Sequence, residues 1–104
     1  MLIVTTNEIA GKKITSVKGL VQGSTVKAKH VGRDIGAGLK TLVGGEITGY
    51  SELMKEAREE AKNRMTEEAE NIGANAIVGM RYQTSQVMNG ASEVIAYGTA
   101  VISE

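Results

Sequence analysis

Histidine and cysteine, the nitrogen and sulfur ligands of zinc, are sparse in this chain of 104 residues. It contains one histidine, His30, and no cysteine. A structural zinc site needs four nitrogen or sulfur ligands, and a catalytic one usually needs three protein ligands. His30 with carboxylates such as Asp34 and Glu46 is too poor a set for one subunit, but a symmetric ring could bring copies of these residues together. His30 and Asp34 are therefore the candidate metal ligands, although a surface histidine beside Lys29 is the favoured interpretation.

Four polar or amphipathic residues lie in a C-terminal segment that is otherwise apolar: Arg81, Tyr82, Glu93 and Tyr97. In a buried subunit interface each would need a partner, so pairing of Arg81 with a carboxylate is the economical arrangement. Interface ion pairing is favoured over ligand binding, because structural ion pairs also bury charge. With Glu46, these residues form the candidate ligand or interface set.

Residues for catalysis or nucleotide binding form no recognisable set. Glu46, Glu93 and Tyr97 could do general acid–base work at a subunit boundary, as in a weak hydrolase or isomerase, but their spacing does not single them out. The glycine-rich segment 32–41 fails as a phosphate loop, because Leu39 interrupts the required Gly-Lys-Thr order. We expect a non-enzymatic protein with no catalytic residues and no cofactor.

Hydrophobic patterning predicts the elements that position these residues. The run Leu2–Thr6 predicts a short strand, and Lys12–Lys29 predicts one long strand or two, broken or bulged at Gly19 and Gly23. Residues His30–Gly45 predict a short, marginal helix, because apolar residues at helical spacing are mixed with glycines.

A long helix is predicted from Ser51, as the N-cap, to Ile72, with Gly73 closing its C-terminus. The face opposite its apolar stripe is charged, so packing of the stripe must stabilise the helix. The stripe consists of Leu53, Ala57, Ala61, Met65, Ala69 and Ile72, widened by Met54.

A β-hairpin is predicted over Ala76–Met88 and Ala91–Ser103, joined by Asn89-Gly90, which is the strongest short-range hairpin signal. A two-residue loop would place Tyr82 opposite Tyr97. Both faces of this hairpin are apolar, whereas a sheet with one solvent-exposed face needs apolar residues on its buried face alone. Because one helix can cover only one face, another copy of the chain is the expected cover for the second.

Composition and charge exclude several classes of protein. The formal net charge of +0 provides no field for nucleic acid or anionic membranes, and the absence of cysteine excludes a disulfide framework. The N-terminus lacks the pattern of a signal peptide, so we expect a soluble, cytoplasmic protein of one domain over residues 1–104. Residues 1–50 carry seven basic and three acidic groups, and the remainder carries five and nine. This asymmetry could steer head-to-tail contacts between subunits, although two unrelated solvated faces are at least as good an explanation.

Several separated motifs, in order and at matching distances, resemble the YbjQ-like family over essentially the whole chain. They are Asp34, Gly44-Gly45-Glu46, Tyr50, Ala57-Arg58, Ala61, Arg64-Met65, Ala69, Gly73-Ala74-Asn75-Ala76-Ile77-Val78-Gly79, Glu93 and Tyr97-Gly98-Thr99-Ala100-Val101.

This resemblance implies an α+β subunit of β-α-β-β type, similar to dodecin-like subunits, with an antiparallel sheet and one long amphipathic helix. It also implies a ring-shaped assembly, a pentamer, and two such rings could stack. A heavy-metal-binding label accompanies the family. We therefore expect a homo-oligomer that binds a small molecule or ion at subunit interfaces, with metal binding by ring-symmetric ligands or a weak inter-subunit enzyme as alternatives. The expected partner is the chain itself, without nucleic acid or membrane.

Overall fold

The structure is a computed structural model that describes residues 1–28 and 45–104, with side chains of the second range from residue 49 onward. It has the predicted α+β architecture, in which one helix packs on one face of a four-stranded sheet. The predicted short helix over His30–Gly45 lies outside the described residues, apart from Gly45. The elements are β1 (Leu2–Ile3), β2 (Ile14–Ala28), α1 (Gly45–Asn71), β3 (Ala76–Met88) and β4 (Ala91–Ser103).

The sheet is mixed rather than antiparallel, with the strand order β1-β3-β4-β2. The short strand β1 runs parallel to β3, whereas β4 runs antiparallel to both β3 and β2. The predicted strand Leu2–Thr6 is shorter than expected, but hydrogen bonding continues beyond it. The Val4 amide donates to Ile77 O at 2.9 Å, so the N-terminal segment follows the edge of β3.

Helix α1 begins at Gly45, six residues before the predicted N-cap Ser51. Its predicted C-terminus is confirmed, since Gly73 has a φ of +81°. The Gly73 amide donates to Glu70 O at 3.0 Å and the Ala74 amide to Ala69 O at 3.0 Å. These two bonds form a Schellman motif, which satisfies carbonyls at the helix end.

The small-residue stripe of α1 makes the core with the sheet. Ala57, Ala61, Met65 and Ala69 are fully buried, as predicted, whereas Ile72 is 41% exposed and does not extend the stripe. The buried sheet residues in the same cluster are Val21, Ile77, Met80, Val94, Ala96 and Ala100.

Strand β2 is one continuous strand, and only one of its two predicted irregularities is present. A bulge falls between Val17 and Gly19, where Gly19 has a φ of +118°. Gly23 stays in register opposite Ala96. Its small size instead accommodates α1, because a Cβ at Gly23 would overlap backbone atoms of Ala61 and Met65.

The predicted hairpin is confirmed, but its register is not. Met88 and Ala91 flank the turn as expected, and irregularities before Met88 and at residues 79–80 then shift the pairing. Arg81 consequently lies opposite Tyr97, and Tyr82 lies opposite Ala96. Gly79 has a φ of +62°, and this bulge moves Met80 from the predicted face with Val78 into the core under the helix.

Candidate functional site

The helix covers one face of the sheet, and nothing in residues 1–28 and 45–104 covers the opposite face over much of its length. Residues paired across strands share a face, and this places three rows of three side chains next to each other. Gln22, Ser24 and Val26 of β2 lie opposite Tyr97, Ile95 and Glu93 of β4. On the other side of β4, the same three residues pair with Arg81, Gln83 and Ser85 of β3. We call this surface the open face; it also includes Val17 and Leu20.

Three of the predicted site residues lie on the open face, but they do not converge. Arg81 and Tyr97 are cross-strand partners. Glu93 lies on the same strand as Tyr97 but four residues away, which corresponds to about 13 Å along an extended chain. The three side chains therefore form a row rather than a pocket.

The remaining predicted residues are elsewhere. Tyr82 faces the helix side of the sheet, contrary to the predicted arrangement with Tyr97, because the irregularity between Gln86 and Met88 shifts the pairing of residues 81–86 by one position. It remains 40% exposed, since α1 packs mainly on β2 and β4. His30 and Asp34 lie outside the described residues, and the side chain of Glu46 does too.

Arg81 anchors the N-terminal segment through backbone carbonyls. Its guanidinium donates to Thr5 O at 2.9 Å and to Met80 O at 2.8 Å. Within the described ranges, 1–28 and 45–104, no carboxylate forms an ion pair with Arg81. The expected pairing with a carboxylate would thus need residues beyond these ranges or another subunit.

A polar network that was not predicted connects β2 to the edge of α1. The Lys27 ammonium lies 2.9 Å from Glu60 Oε1 and 3.8 Å from Glu56 Oε1. Thr25 Oγ1 donates to Glu60 Oε2 at 3.0 Å, and the Arg64 guanidinium donates to Ser24 O. Sequence periodicity gives no signal for this network, because Lys27 and Glu60 are 33 positions apart.

This network shifts the protonation equilibria of its two main members. The hydrogen bond from Lys27 lowers the pKa of Glu60, and the bond from Thr25 acts in the same direction. The hydrogen bond to Glu60 raises the pKa of Lys27. Both groups are held in their charged forms, so the network fixes the position of α1 rather than supplying a proton donor or acceptor near neutral pH.

The described residues offer little for binding a metal within one subunit. No three His, Cys, Asp or Glu side chains among them lie close enough together to hold an ion. An open depression of about 330 Å³ is lined by Glu8, Ile9, Lys12, Lys13 and Ile14, where cations and a carboxylate alternate on the surface. This depression is open to solvent rather than enclosed.

Comparison with known proteins identifies the family. The family model described as "Putative heavy-metal-binding" matches residues 1–104. The chain belongs to the YbjQ-like family. Its relatives include a UPF0145 protein of Clostridioides difficile, 60% identical over all of this chain and 93% of the relative. A UPF0145 protein of Halalkalibacterium halodurans is 63% identical over 97% of this chain and 95% of the relative.

The fold is also found in a solved structure. A DUF74-family protein of unknown function from Pediococcus pentosaceus superposes with a TM-score of 0.64, covering 100% of this chain and 98% of that one. The two sequences are 24% identical, so the likeness concerns the fold alone. Within residues 1–28 and 45–104, no helix of this YbjQ-like protein is long and apolar enough to cross a membrane.

Proposed function

We propose that this YbjQ-like chain is a subunit of a cytoplasmic, non-enzymatic homo-oligomer that binds a small molecule or ion between its subunits. The observation that carries the proposal is the open face. Val17 is 67% exposed, Leu20 is 68% exposed and Val26 is 56% exposed. Apolar side chains gathered on one sheet face are typical of a surface that another protein covers.

The shape of the subunit supports assembly. The Cα radius of gyration is 17.3 Å, compared with about 13 Å for a compact chain of 100 residues. The principal extents are 56 × 22 × 17 Å. Long strands with one layer of helix produce this slab, and a sheet that is apolar on both faces normally has a layer on each. A second copy would supply the missing layer or extend the sheet.

The N-terminal segment covers only one end of the open face. Ile9 packs with Ala76, Val78 and Val101 in a small second cluster. Val17, Leu20 and Val26 lie outside this cluster and belong to the strand farthest from β1. Burying such side chains contributes about 25 cal/mol per Å² of apolar surface, so association is the favourable way to remove them from water.

A ring of five subunits is the form of assembly that the family resemblance favours. Ring contacts are heterologous, and each subunit would present different surfaces to its two neighbours. The unequal charge of the two halves of the chain is compatible with such contacts. Arg81, Glu93 and Tyr97 are spread along the sheet rather than gathered in a pocket. This arrangement favours ligand binding across a subunit boundary over acid–base catalysis within one subunit.

The proposal is tested by a charge on the open face. Leu20→Glu should shift the assembly to smaller species in native mass spectrometry, because a carboxylate would be buried without a partner. Ile72→Glu is the matched control at an exposed apolar residue of the helix end, and it should leave the mass unchanged. A Leu20→Glu protein with the parent mass would contradict the role of the open face. A dimeric parent would retain assembly and exclude the ring.

Metal binding by ring-symmetric ligands is the second candidate, and the description of the family model favours it. His30, Asp34 and Glu46 are the residues that would contribute one ligand per subunit. Titration of the assembled protein with Zn²⁺ should show binding that His30→Ala weakens at least tenfold, whereas the neighbouring Lys29→Ala should not change it. An unchanged affinity in His30→Ala would remove this histidine from the site.

A further inference from the structure

Strand β3 has a free edge over its second half. The N-terminal segment pairs with β3 up to Met80, whose amide donates to Val4 O at 3.0 Å, while the Gly79 amide donates to Thr6 O at 2.8 Å. Beyond this point, in the part of the chain that the structure describes, no strand lies on the outer side of residues 81–88. Their outward backbone groups are therefore open to another strand.

This free edge has little of the usual protection against pairing, apart from the irregularity between Gln86 and Met88. Its sequence, RYQTSQVM, contains no proline and one charge, Arg81, and all eight residues are exposed. Proteins that remain monomeric usually guard such edges with charges, prolines or a covering loop. An unguarded edge of this length is a template for strand addition.

The opposite edge of the sheet belongs to β2, which is the last strand in the sheet order. Its 15 residues are paired with β4 on one side only, within the ranges that the structure describes. Both β2 and β3 run antiparallel to β4, so they point in the same direction. A sheet that continues into another copy with the same strand direction would therefore place β2 beside β3 in parallel.

The two edges carry a glutamine and a serine in the same order on the open face. Gln22 and Ser24 lie at alternate positions of β2, and Gln83 and Ser85 lie at alternate positions of β3. Cross-strand registers put Ser24 opposite Ile95 on the same face as Gln83, which also lies opposite Ile95. When the strands are placed side by side, like residues would stack as Gln–Gln and Ser–Ser rows. Amide and hydroxyl rows hydrogen-bond along a sheet.

We infer that the free edge of β3 in one copy of this chain pairs in parallel with the β2 edge of a second copy, with Ser85 beside Ser24. This inference rests on the proposed homo-oligomer and adds an edge-to-edge contact to the burial of the open face. Because the two edges are different, each added copy presents a new free edge. The contact is heterologous, so it repeats until a ring closes.

The absence of cysteine allows a direct test by disulfide cross-linking. The doubly substituted chain Ser24→Cys/Ser85→Cys should form covalent dimers and larger multimers on mild oxidation, and reductant should reverse them. Disulfides require Cα atoms within about 7 Å. Within one chain, β4 separates the two strands by two inter-strand spacings, about 9–10 Å, so an intramolecular bond is excluded.

The matched control moves one cysteine along the same strand and face. Val17→Cys/Ser85→Cys displaces the first thiol by about 23 Å along β2 and should give less than a tenth of the multimers. The single variants, Ser24→Cys and Ser85→Cys, should remain uncross-linked. Cross-linking of Ser85→Cys alone would overturn the inference, because it would show two β3 edges facing each other.

The mass of the reduced double variant distinguishes a failure of the β2–β3 contact from a failure of the proposed homo-oligomer. An oligomer that does not cross-link, or that cross-links equally well through Val17→Cys, overturns the β2–β3 contact and leaves the proposed homo-oligomer standing. A folded monomer overturns both.

Discussion

Gly23 of β2 lies directly beneath Ala61 of α1, and the helix backbone occupies the space that a Cβ would need. The contact continues along fully buried Ala57, Met65 and Ala69, so small residues on both elements set the distance between helix and sheet. The close approach of α1 to the sheet therefore depends on the absence of a side chain at Gly23. This explains how a chain with only three aromatic residues packs a core.

Gly23→Ala should destabilise the protein because the new Cβ overlaps backbone rather than a movable side chain. Over-packing of this kind costs about 1–3 kcal/mol of unfolding free energy, which chemical denaturation would measure. Gly49→Ala is the matched control, since no atom lies within 4 Å of its Cβ position. Within a helix this replacement should stabilise the protein by up to about 1 kcal/mol. An unchanged stability of Gly23→Ala would contradict the close approach.

Met65→Ala should remove the largest fully buried side chain under the helix. The loss of apolar contacts and the resulting cavity cost about 2–5 kcal/mol. Ile72→Ala, at the exposed end of the same helix, should change stability by less than about 0.5 kcal/mol. Equal losses for the two variants, measured by urea unfolding, would show that the predicted stripe does not form the core.

Glu60→Gln should lower the stability of the protein through the loss of its charged contacts with Lys27. The pKa of Glu60 is lowered in the folded state, so its contribution is present above the unfolded value of about 4.5 and disappears as the pH falls through the folded pKa. The pKa of Lys27 is raised, so its contribution is present below about 10.5 and is lost as the pH rises through the folded pKa.

Thermal melting across pH is the corresponding measurement. The difference in Tm between the parent protein and Glu60→Gln should be largest between these limits and should vanish in acid. Glu59→Gln is the control, because the Glu59 side chain is 62% exposed and pairs only with Lys62 of its own helix among the described residues. A Tm difference that is independent of pH would mean that the Glu60 charge is not the cause.

The sequence was most informative where a periodic pattern coincides with packing. The spacing of Ala57, Ala61, Met65 and Ala69 predicts the buried stripe, and Gly73 predicts the end of the helix, because both signals are local. The start of α1 at Gly45 was missed because Ser51 is a good N-cap that the helix extends past. The free energy gained from an N-cap at Ser51 is smaller than the free energy gained from further helical turns.

Bulges explain the errors in the hairpin. The turn at Asn89-Gly90 fixes only the nearest pair, and each bulge then shifts the pairing by one residue. The bulge at Gly79 coincides with hydrogen bonds from the distant N-terminal segment, and a glycine inside a strand is a local signal for such a bulge. The irregularity between Gln86 and Met88 separates Tyr82 from Tyr97 and aligns Arg81 with Tyr97, and it thereby determines which candidate residues share the open face.

The open face itself could be anticipated, since a single helix cannot cover a sheet that is apolar on both sides. The residues that form it could not be predicted from the sequence. The exposed Val17 and Leu20 flank a bulge in β2, and the register at this bulge decides which face they lie on. The network of Lys27 and Glu60 likewise joins residues 33 positions apart, beyond the range of helical or strand periodicity.

The mass of the native protein at micromolar concentration tests the central claim most directly. Light scattering coupled to gel filtration, checked by native mass spectrometry, should give a discrete multiple of the 11.0 kDa subunit, with five copies for a single ring. A folded monomer of 11.0 kDa under these conditions would contradict the account, because the open face and both free edges would then be stable in water.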